Sequence, residues 1–246
     1  MELDMQVDYV IIGSGLTGAV IARLLVDAGR SVVVVERRGH VGGNIHDQVH
    51  PCGIRYHTYG PHYFRTSDEE VWALVNRFAE FYPFEAVVKC YIDGVYENWP
   101  IAASYIRQTV GLHWEPEFRG KPSNFEEAAL SMMPRVIYEK FVKPYNEKQW
   151  GVPPCQLAAD LCRRFDVRED DDPRLTPQAK YQGLPLHGYT AMIEAMLADI
   201  PVVLHCDWLK YRHSFLASKM YIFTGPIDEL FGYRYGRLKY RAQRRE

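Results

Sequence analysis

Gly13-Ser14-Gly15-Leu16-Thr17-Gly18 stands where an apolar run, Tyr9-Val10-Ile11-Ile12, gives way to helix formers from Ala19 to Leu25. No other feature of the chain restricts its fold so closely. In that setting Gly13 permits a tight turn, Gly15 lets backbone N–H groups approach a pyrophosphate with no Cβ in the way, and Gly18 lets the helix lie close on the strand. Gly29 offers the helix a stop, and Ser31-Val32-Val33-Val34-Val35 reads as a second buried strand. Strand, helix and strand within about 30 residues make a βαβ unit, which implies a parallel sheet with a right-handed crossover.

Glu36 closes the second strand 23 positions after Gly13, near the offset of about 20 at which a carboxylate accepts hydrogen bonds from an adenosine ribose. A 2′-phosphate would be repelled there. A glycine turn can also serve only to join strand and helix, but the strand, the helix and the acid are all in register for a nucleotide. Just past Glu36-Arg37-Arg38, the pair Gly42-Gly43 with Asn44 looks like the flavoprotein continuation, in which backbone meets the cofactor again; it favours FAD over NAD. Gly13, Ser14, Gly15, Thr17, Gly18, Glu36, Arg37, Gly43 and Asn44 are therefore the candidate cofactor residues.

A formal net charge of -2 over 246 residues gives no global field to recruit nucleic acid or an anionic membrane surface, so an anionic ligand must be held by local groups. The five cysteines (Cys52, Cys90, Cys155, Cys162 and Cys206) include no Cys-x-x-Cys pair. That argues against a disulfide framework and a thiolate metal site, and points to a reducing cytoplasm. The acidic opening, Met1 to Gln6, leads straight into a strand, so neither a signal peptide nor a membrane-spanning segment is expected, and the chain reads as soluble.

The spacing of Val71, Leu74, Val75, Phe78 and Phe81 predicts a helix over 68–81, with Ser67 as its N-cap. From about Ser123 to Leu161 the periodicity is mostly helical, with Pro134, Pro144, Pro153 and Pro154 expected to break it into pieces. Residues 168–177, with Glu169-Asp170-Asp171-Asp172 between Arg168 and Pro173, read as an exposed, mobile connection. A helix from Thr190 to Leu197 follows, then strands at 201–204 and 219–223. The fold class expected is α/β: a Rossmann-like FAD-binding parallel sheet with a helical substrate-binding insertion and part of an antiparallel sheet. The domains expected are 1–80 with 185–210 for the cofactor, 81–184 for uridine and substrate, and an incomplete sheet region over 211–246.

Several segments carry a resemblance to one family. The cofactor-binding start, Gly13 to Val20 with Glu36-Arg37 and Gly42-Gly43-Asn44, resembles that of the UDP-galactopyranose mutases. His57-Thr58-Tyr59-Gly60-Pro61-His62-Tyr63-Phe64 is similar to their histidine loop, and Tyr145-Asn146-Glu147-Lys148-Gln149-Trp150-Gly151 to their uridine segment. Arg163-Arg164-Phe165-Asp166-Val167-Arg168 resembles the start of their mobile loop. Tyr181-Gln182-Gly183-Leu184-Pro185 and Thr224-Gly225-Pro226-Ile227-Asp228 match later signatures, so the likeness runs from about Tyr9 to Arg241.

The resemblance implies an isomerase that interconverts UDP-galactopyranose and UDP-galactofuranose, on the way to cell-surface polysaccharide. Reduced FAD is implied as cofactor, its N5 acting as the nucleophile at the anomeric carbon. It places His62 at the flavin edge, as a cofactor-binding and catalytic residue, and Tyr145 and Trp150 around the uracil. Arg164 is implied as catalytic and substrate-binding through the diphosphate, and Tyr181 as a further substrate residue. It implies no metal, no nucleic acid and no membrane insertion, and a homodimer is one expected assembly.

The sequence also departs from the family. Relatives continue for a hundred residues or more, supplying a second diphosphate arginine and further tyrosines that are expected after Glu246 and not found. Arg65 stands where many relatives carry a second histidine, and the acids at 169–172 replace an aromatic-rich pattern. A catalytically silent FAD- or nucleotide-binding remnant is therefore the rival to an active mutase, with a flavin amine oxidase or dehydrogenase as a third reading. The tail from Tyr233 interleaves aromatics with Arg234, Arg237, Lys239, Arg241, Arg244 and Arg245. That pattern alone suggests nucleic-acid binding; the plainer expectation is a sheet strand beginning at 236–241.

Overall fold

The structure, a computed structural model, describes residues 5–240 and Ala242. Two compact units emerge, one made of residues up to Phe84 with Ala179–Leu238, the other centred on Glu85–Gln178. The chain begins in the first unit with strands β1 (Met5–Ile12), β2 (Val32–Val35), β3 (Asp47–Val49), β4 (Arg55–His57), β5 (Phe64–Thr66) and β6 (Phe81–Pro83), and helices α1 (Leu16–Asp27) and α2 (Glu69–Asn76). The second unit holds β7 (Val88–Ile92), β8 (Val95–Trp99), β9 (Ile101–Ala102) and β10 (Val167–Arg168), with α3 (Ala103–Val110), α4 (Phe125–Leu130), α5 (Arg135–Ile137) and α6 (Lys143–Trp150). The chain returns to the first unit with β11 (Tyr181–Pro185), β12 (Val202–Val203) and β13 (Phe215–Phe223), and α7 (Gly188–Met196), α8 (Trp208–Tyr211) and α9 (Ile227–Leu230).

The expected βαβ start is present, and its parallel sheet runs in the order β12-β2-β1-β13. Alternate residues of β1 face opposite ways, as the period of a strand dictates. Ile11 packs with Ala19 and Ala22 of α1 and Met192, Ile193 and Met196 of α7. Val10 and Ile12 join Val33, Val35, Cys206 and Phe215 on the other face. Because both faces are covered, β2 is valine throughout and buried throughout. A three-stranded antiparallel sheet, β5-β11-β6, completes the mixed α/β architecture of this unit.

Two local readings change. Asp68, not Ser67, caps α2, its carboxylate accepting from the N–H groups of Glu70 at 2.8 Å and Val71 at 3.0 Å. Ser67 instead accepts from the Lys180 N–H. The helix stops at Asn76, and Phe81 lies in β6, where pairing with Pro185 of β11 outweighs the helical spacing of the side chains.

In the second unit, β7 and β8 form a hairpin, β9 and β10 pair in parallel, and the helices bury Phe125, Met133, Ile137, Tyr138 and Phe141 with Ile101 and Ile106. Pro144 does not break the helical run. A π turn at Tyr138–Val142 joins α5 to α6, and Pro144 falls in the first turn of α6, where a proline's missing N–H costs little.

Nor is 168–177 an open connection. Arg107 pairs with Glu169, the Asp171 carboxylate accepts from the Ser104 N–H, and Arg174 binds Asp172 and Glu85. The acids of this segment are largely matched by cations and donors of their own unit.

The tail forms no strand among the described residues. Positive φ at Gly232, Tyr233 and Gly236 turns it back on itself, and Arg234 and Arg237 lie over the rings of Tyr235 and Tyr233. Met1–Asp4, Arg241, Arg244 and Arg245 lie outside the described residues. Among the described residues, no helix is long and apolar enough to cross a membrane, and no group of three His, Cys, Asp or Glu could hold a metal ion.

Candidate functional site

The glycine turn sits where β1 ends, and the three glycines differ in what forces them. Gly13 has φ +108°, and a Cβ there would lie 2.2 Å from Thr224 Oγ1. At Gly18 a Cβ would lie 1.9 Å from the Gly13 carbonyl oxygen, so only glycine lets α1 lie this close to β1. A Cβ at Gly15 would meet nothing nearer than the Gly43 Cα at 3.8 Å, so packing alone does not demand glycine there. Gly15 is also the N-cap of α1, which has no side-chain cap, leaving N–H groups at its first turn for an anion.

Glu36 is 5% exposed, and three donors fix its carboxylate. Oε2 accepts from the Ser14 N–H and from Ser14 Oγ, each at 2.8 Å, and Oε1 accepts from the Arg38 N–H at 2.8 Å. A carboxylate oxygen takes two hydrogen bonds, so Oε2 is full and Oε1 keeps one place for a ligand hydroxyl.

Around this acid opens a cavity of about 470 Å³, lined among others by Gly13, Gly15, Thr17, Glu36, Arg37, Gly43 and Asn44. The volume lies within the range of ligand sites. Arg37 lines it while paired with Glu229 at 3.0 Å. Arg38 lines it too, donating from Nη2 to Asn44 Oδ1 at 3.0 Å and lying 4.4 Å over the Tyr59 ring. Sequence reasoning passes over Arg38, whose signal is a cation two positions past Glu36. It also gives no cavity role to Cys206, Asp207, Trp208 and Leu209, which follow β12, or to Thr224 and Glu229. Only chain topology brings those residues to the end of the sheet.

The second glycine pair closes on the first. Gly42 N–H donates to the Ser14 carbonyl at 2.9 Å, and a Cβ on Gly43 would lie 2.8 Å from the Gly15 Cα. Residues on either side of the pair hold the histidine loop. His46 Nδ1 bonds Thr58 Oγ1 at 2.7 Å, and His40 Nε2 bonds the Tyr59 hydroxyl at 2.8 Å. His62 is half-buried, its Nδ1 2.7 Å from the Gly60 carbonyl and its N–H donating to His57 Nδ1 at 2.9 Å. Burial lowers the pKa of both His46 and His57. Arg65, in place of a second histidine, is exposed and donates to the Tyr63 hydroxyl. Tyr181 stacks on Trp72 at 4.7 Å, and its hydroxyl donates to Glu69.

The remaining three candidates belong to the second unit. Tyr145 is 45% exposed, with its ring centroid 6.2 Å from that of Trp99 and 6.0 Å from that of Phe165. Trp150 ends α6, half-buried, and Gly151 caps it in the left-handed conformation. Arg164 is exposed beside buried Phe165. Arg163, Arg168 and Arg174 pair with Asp160, Asp166 and Asp172, whereas Arg164 has no carboxylate partner among the described residues.

Comparison with known proteins gives two family matches: residues 140–246 match the family described as UDP-galactopyranose mutase, and residues 11–78 an NAD(P)-binding Rossmann-like domain. A probable UDP-galactopyranose mutase of Klebsiella pneumoniae is 37% identical across 96% of this chain and 64% of its own length. A dTDP-fucopyranose mutase of Escherichia coli is 32% identical across 94% of this chain and 66% of its own. The chain therefore spans just under two thirds of these relatives. Among solved structures, a reduced UDP-galactopyranose mutase shares the fold, with a TM-score of 0.64 at 17% identity over 92% of this chain and 57% of that one.

Proposed function

Since the chain belongs to the UDP-galactopyranose mutase family, we propose that it acts as a flavin-dependent isomerase between UDP-galactopyranose and UDP-galactofuranose. One observation carries this reading. A cavity with an open acceptor on a buried Glu36 occurs in the same chain as a family-matched segment holding Tyr145, Trp150 and Arg164.

The cradle suits the adenosine diphosphate part of FAD. The turn's N–H groups and the first turn of α1 meet the pyrophosphate, with Gly13, Ser14, Gly15, Thr17 and Gly18 forming the turn itself. Glu36 Oε1 takes one ribose hydroxyl, and Arg37, Arg38, Gly43 and Asn44 complete the surround. His62 faces the reactive edge of the cofactor. When bound and reduced, FAD supplies a nucleophilic nitrogen for the anomeric carbon.

The second unit holds the nucleotide. Tyr145 and Trp150 present flat faces to the base, and Arg164, with no internal carboxylate to satisfy among the described residues, holds the charge that gathers on the departing diphosphate. Tyr181 belongs to the substrate side by resemblance, its hydroxyl already held by Glu69. Five free cysteines support a reducing compartment, the cytoplasm, and a homodimer belongs to the same reading.

The relative that acts on a dTDP-sugar makes the base the point to test. The chain is purified with FAD, its flavin spectrum recorded, and the dithionite-reduced protein titrated with UDP and dTDP in parallel. Retained flavin that responds to UDP, followed by galactofuranose formation, is the expected result. A stronger response to dTDP moves the substrate to a deoxythymidine sugar, and a chain that binds no flavin overturns the proposal.

A further inference from the structure

The loop from His57 to His62 is closed by one hydrogen bond between its ends, the His62 N–H donating to His57 Nδ1 at 2.9 Å. An imidazole nitrogen that accepts carries no proton, so His57 is neutral with its hydrogen on Nε2. His62 is the reverse. Its Nδ1 lies 2.7 Å from the Gly60 carbonyl, which can only accept, so that nitrogen carries the hydrogen and Nε2 is bare when the ring is neutral. The two rings lie parallel within 8°, their centroids 6.2 Å apart, and His57 meets Tyr189 edge-on. The middle of the loop is held separately, through Thr58 by His46 and through Tyr59 by His40.

We infer that His57 is a positioning residue, which sets the placement of His62 through a hydrogen bond that only its neutral ring can accept. Protonation puts a donor on Nδ1, aimed at another donor, and the bond is lost. The groups facing His57 are Asp47 of β3, Arg55 of β4, His62 and the Gly60 carbonyl of the loop, and Tyr189 of α7. Asp47 and the Gly60 carbonyl favour the charged ring. The Asp47 carboxylate, however, is 1% exposed and committed to the Tyr189 and Thr190 N–H groups and to Arg55. Burial is the largest influence on His57 and holds its pKa below the ordinary value, with His62 and Arg55 acting in the same direction. The bond is thus fully formed above about pH 6.5, the ordinary histidine value, and is lost as pH falls through the lower folded value. The consequence for the cofactor rests on the proposed function, which puts His62 at the flavin edge; the hydrogen bond itself does not.

The test compares wild-type protein with His57→Asn and His57→Phe, with and without FAD. Asparagine puts an oxygen where Nδ1 stands and accepts at every pH, whereas phenylalanine keeps a ring against Tyr189 and accepts nothing. Long-range ¹H–¹⁵N NMR reads the tautomers, and the His62 amide shift reads the bond. On acidification, wild type is expected to lose that shift in step with His57 protonation, H57N to keep it, and H57F to lack it throughout. FAD affinity should fall on acidification in wild type more steeply than in H57N. A proton on His57 Nδ1 at neutral pH, or an H57N protein that follows wild type in its amide shift, overturns the inference. The NMR arm needs no flavin, so a chain that fails to bind FAD removes the proposed function and leaves this inference to be judged alone. Should H57F not fold, H57N still decides.

Discussion

Under the proposed function the glycine cradle and the segment from Asp160 to Arg174 both prepare a place for phosphate, and they do so by opposite means. The cradle uses backbone: Gly18 brings α1 down on Gly13, Gly43 closes on Gly15, and the N–H groups of Ser14 and Arg38 fix Glu36. The arginine segment uses side chains, and most of them are spent within it. Arg163, Arg168 and Arg174 pair with acids of their own segment, leaving Arg164 with no carboxylate partner among the described residues. Backbone geometry ties a site to the fold. Charge pairing leaves a site as the remainder of an internal cancellation.

The sharpest way to break this contrast is to put a methyl group where the cradle has none. In Gly18→Ala the new Cβ meets the Gly13 carbonyl at 1.9 Å, a backbone atom that cannot swing aside, so α1 must lift from β1. A loss of about 3 kcal/mol in urea unfolding is expected, together with loss of flavin binding. Gly29→Ala is the control. It has φ +73° but nothing within 4 Å of its Cβ, so only left-handed strain of about 1 kcal/mol is expected. Equal losses at the two positions would refute the close-packing account of Gly18.

The same contrast explains which parts of the molecule can be read from sequence. The βαβ start, the buried acid Glu36 at its end and the second glycine pair are legible because glycine spacing encodes backbone geometry directly. The hairpin of β7 and β8 has a local signal too, Asp93-Gly94 at positive φ, but the end of α2 is not legible, because it depends on a partner elsewhere in the chain; Phe81 has helical spacing yet pairs with Pro185. Charges taken one at a time mislead for the same reason. Glu169, Asp171 and Asp172 read in sequence as an unpaired acidic run in a mobile connection until Arg107, the Ser104 N–H and Arg174 are brought to them. The pairing is not complete burial: the Glu169 side chain stays 75% exposed beside Arg107, so part of its charge does face solvent. Ser14 is legible as a member of the turn, but its hydroxyl bond to Glu36 is not.

A smaller effect is expected one atom away from the cradle's backbone. Ser14→Ala removes the hydroxyl that donates to Glu36 Oε2 and leaves the two N–H donors in place. Ser14 is 0% exposed, so water does not replace the lost donor, and a cost of about 1.5 kcal/mol is expected for a bond to a charged group. If the hydroxyl acts through the carboxylate, the cost shrinks when Glu36→Gln is already present. An unchanged cost in that background would show that Ser14 acts through packing instead.

The smallest effects belong to the arginine segment, whose groups are in contact with solvent and screened by it. Arg174 holds Asp172 at 2.7 Å, and its guanidinium pulls the Asp172 pKa down to about 2. A depressed carboxylate contributes stability that is fully present above the ordinary value of about 3.9 and lost as pH falls through the folded one. Wild type should therefore show an acid-dependent fall in melting temperature between about pH 4 and pH 2 that Arg174→Ala lacks, with Arg174→Ala melting slightly lower at neutral pH. Arg164→Ala should leave both the melting temperature and its acid dependence unchanged, because no carboxylate depends on it among the described residues. Under the proposed function it should instead weaken the response to UDP. If Arg164→Ala destabilises the fold as much as Arg174→Ala does, Arg164 has an internal partner after all, and the division between spent and spare charge fails at the residue on which it depends most.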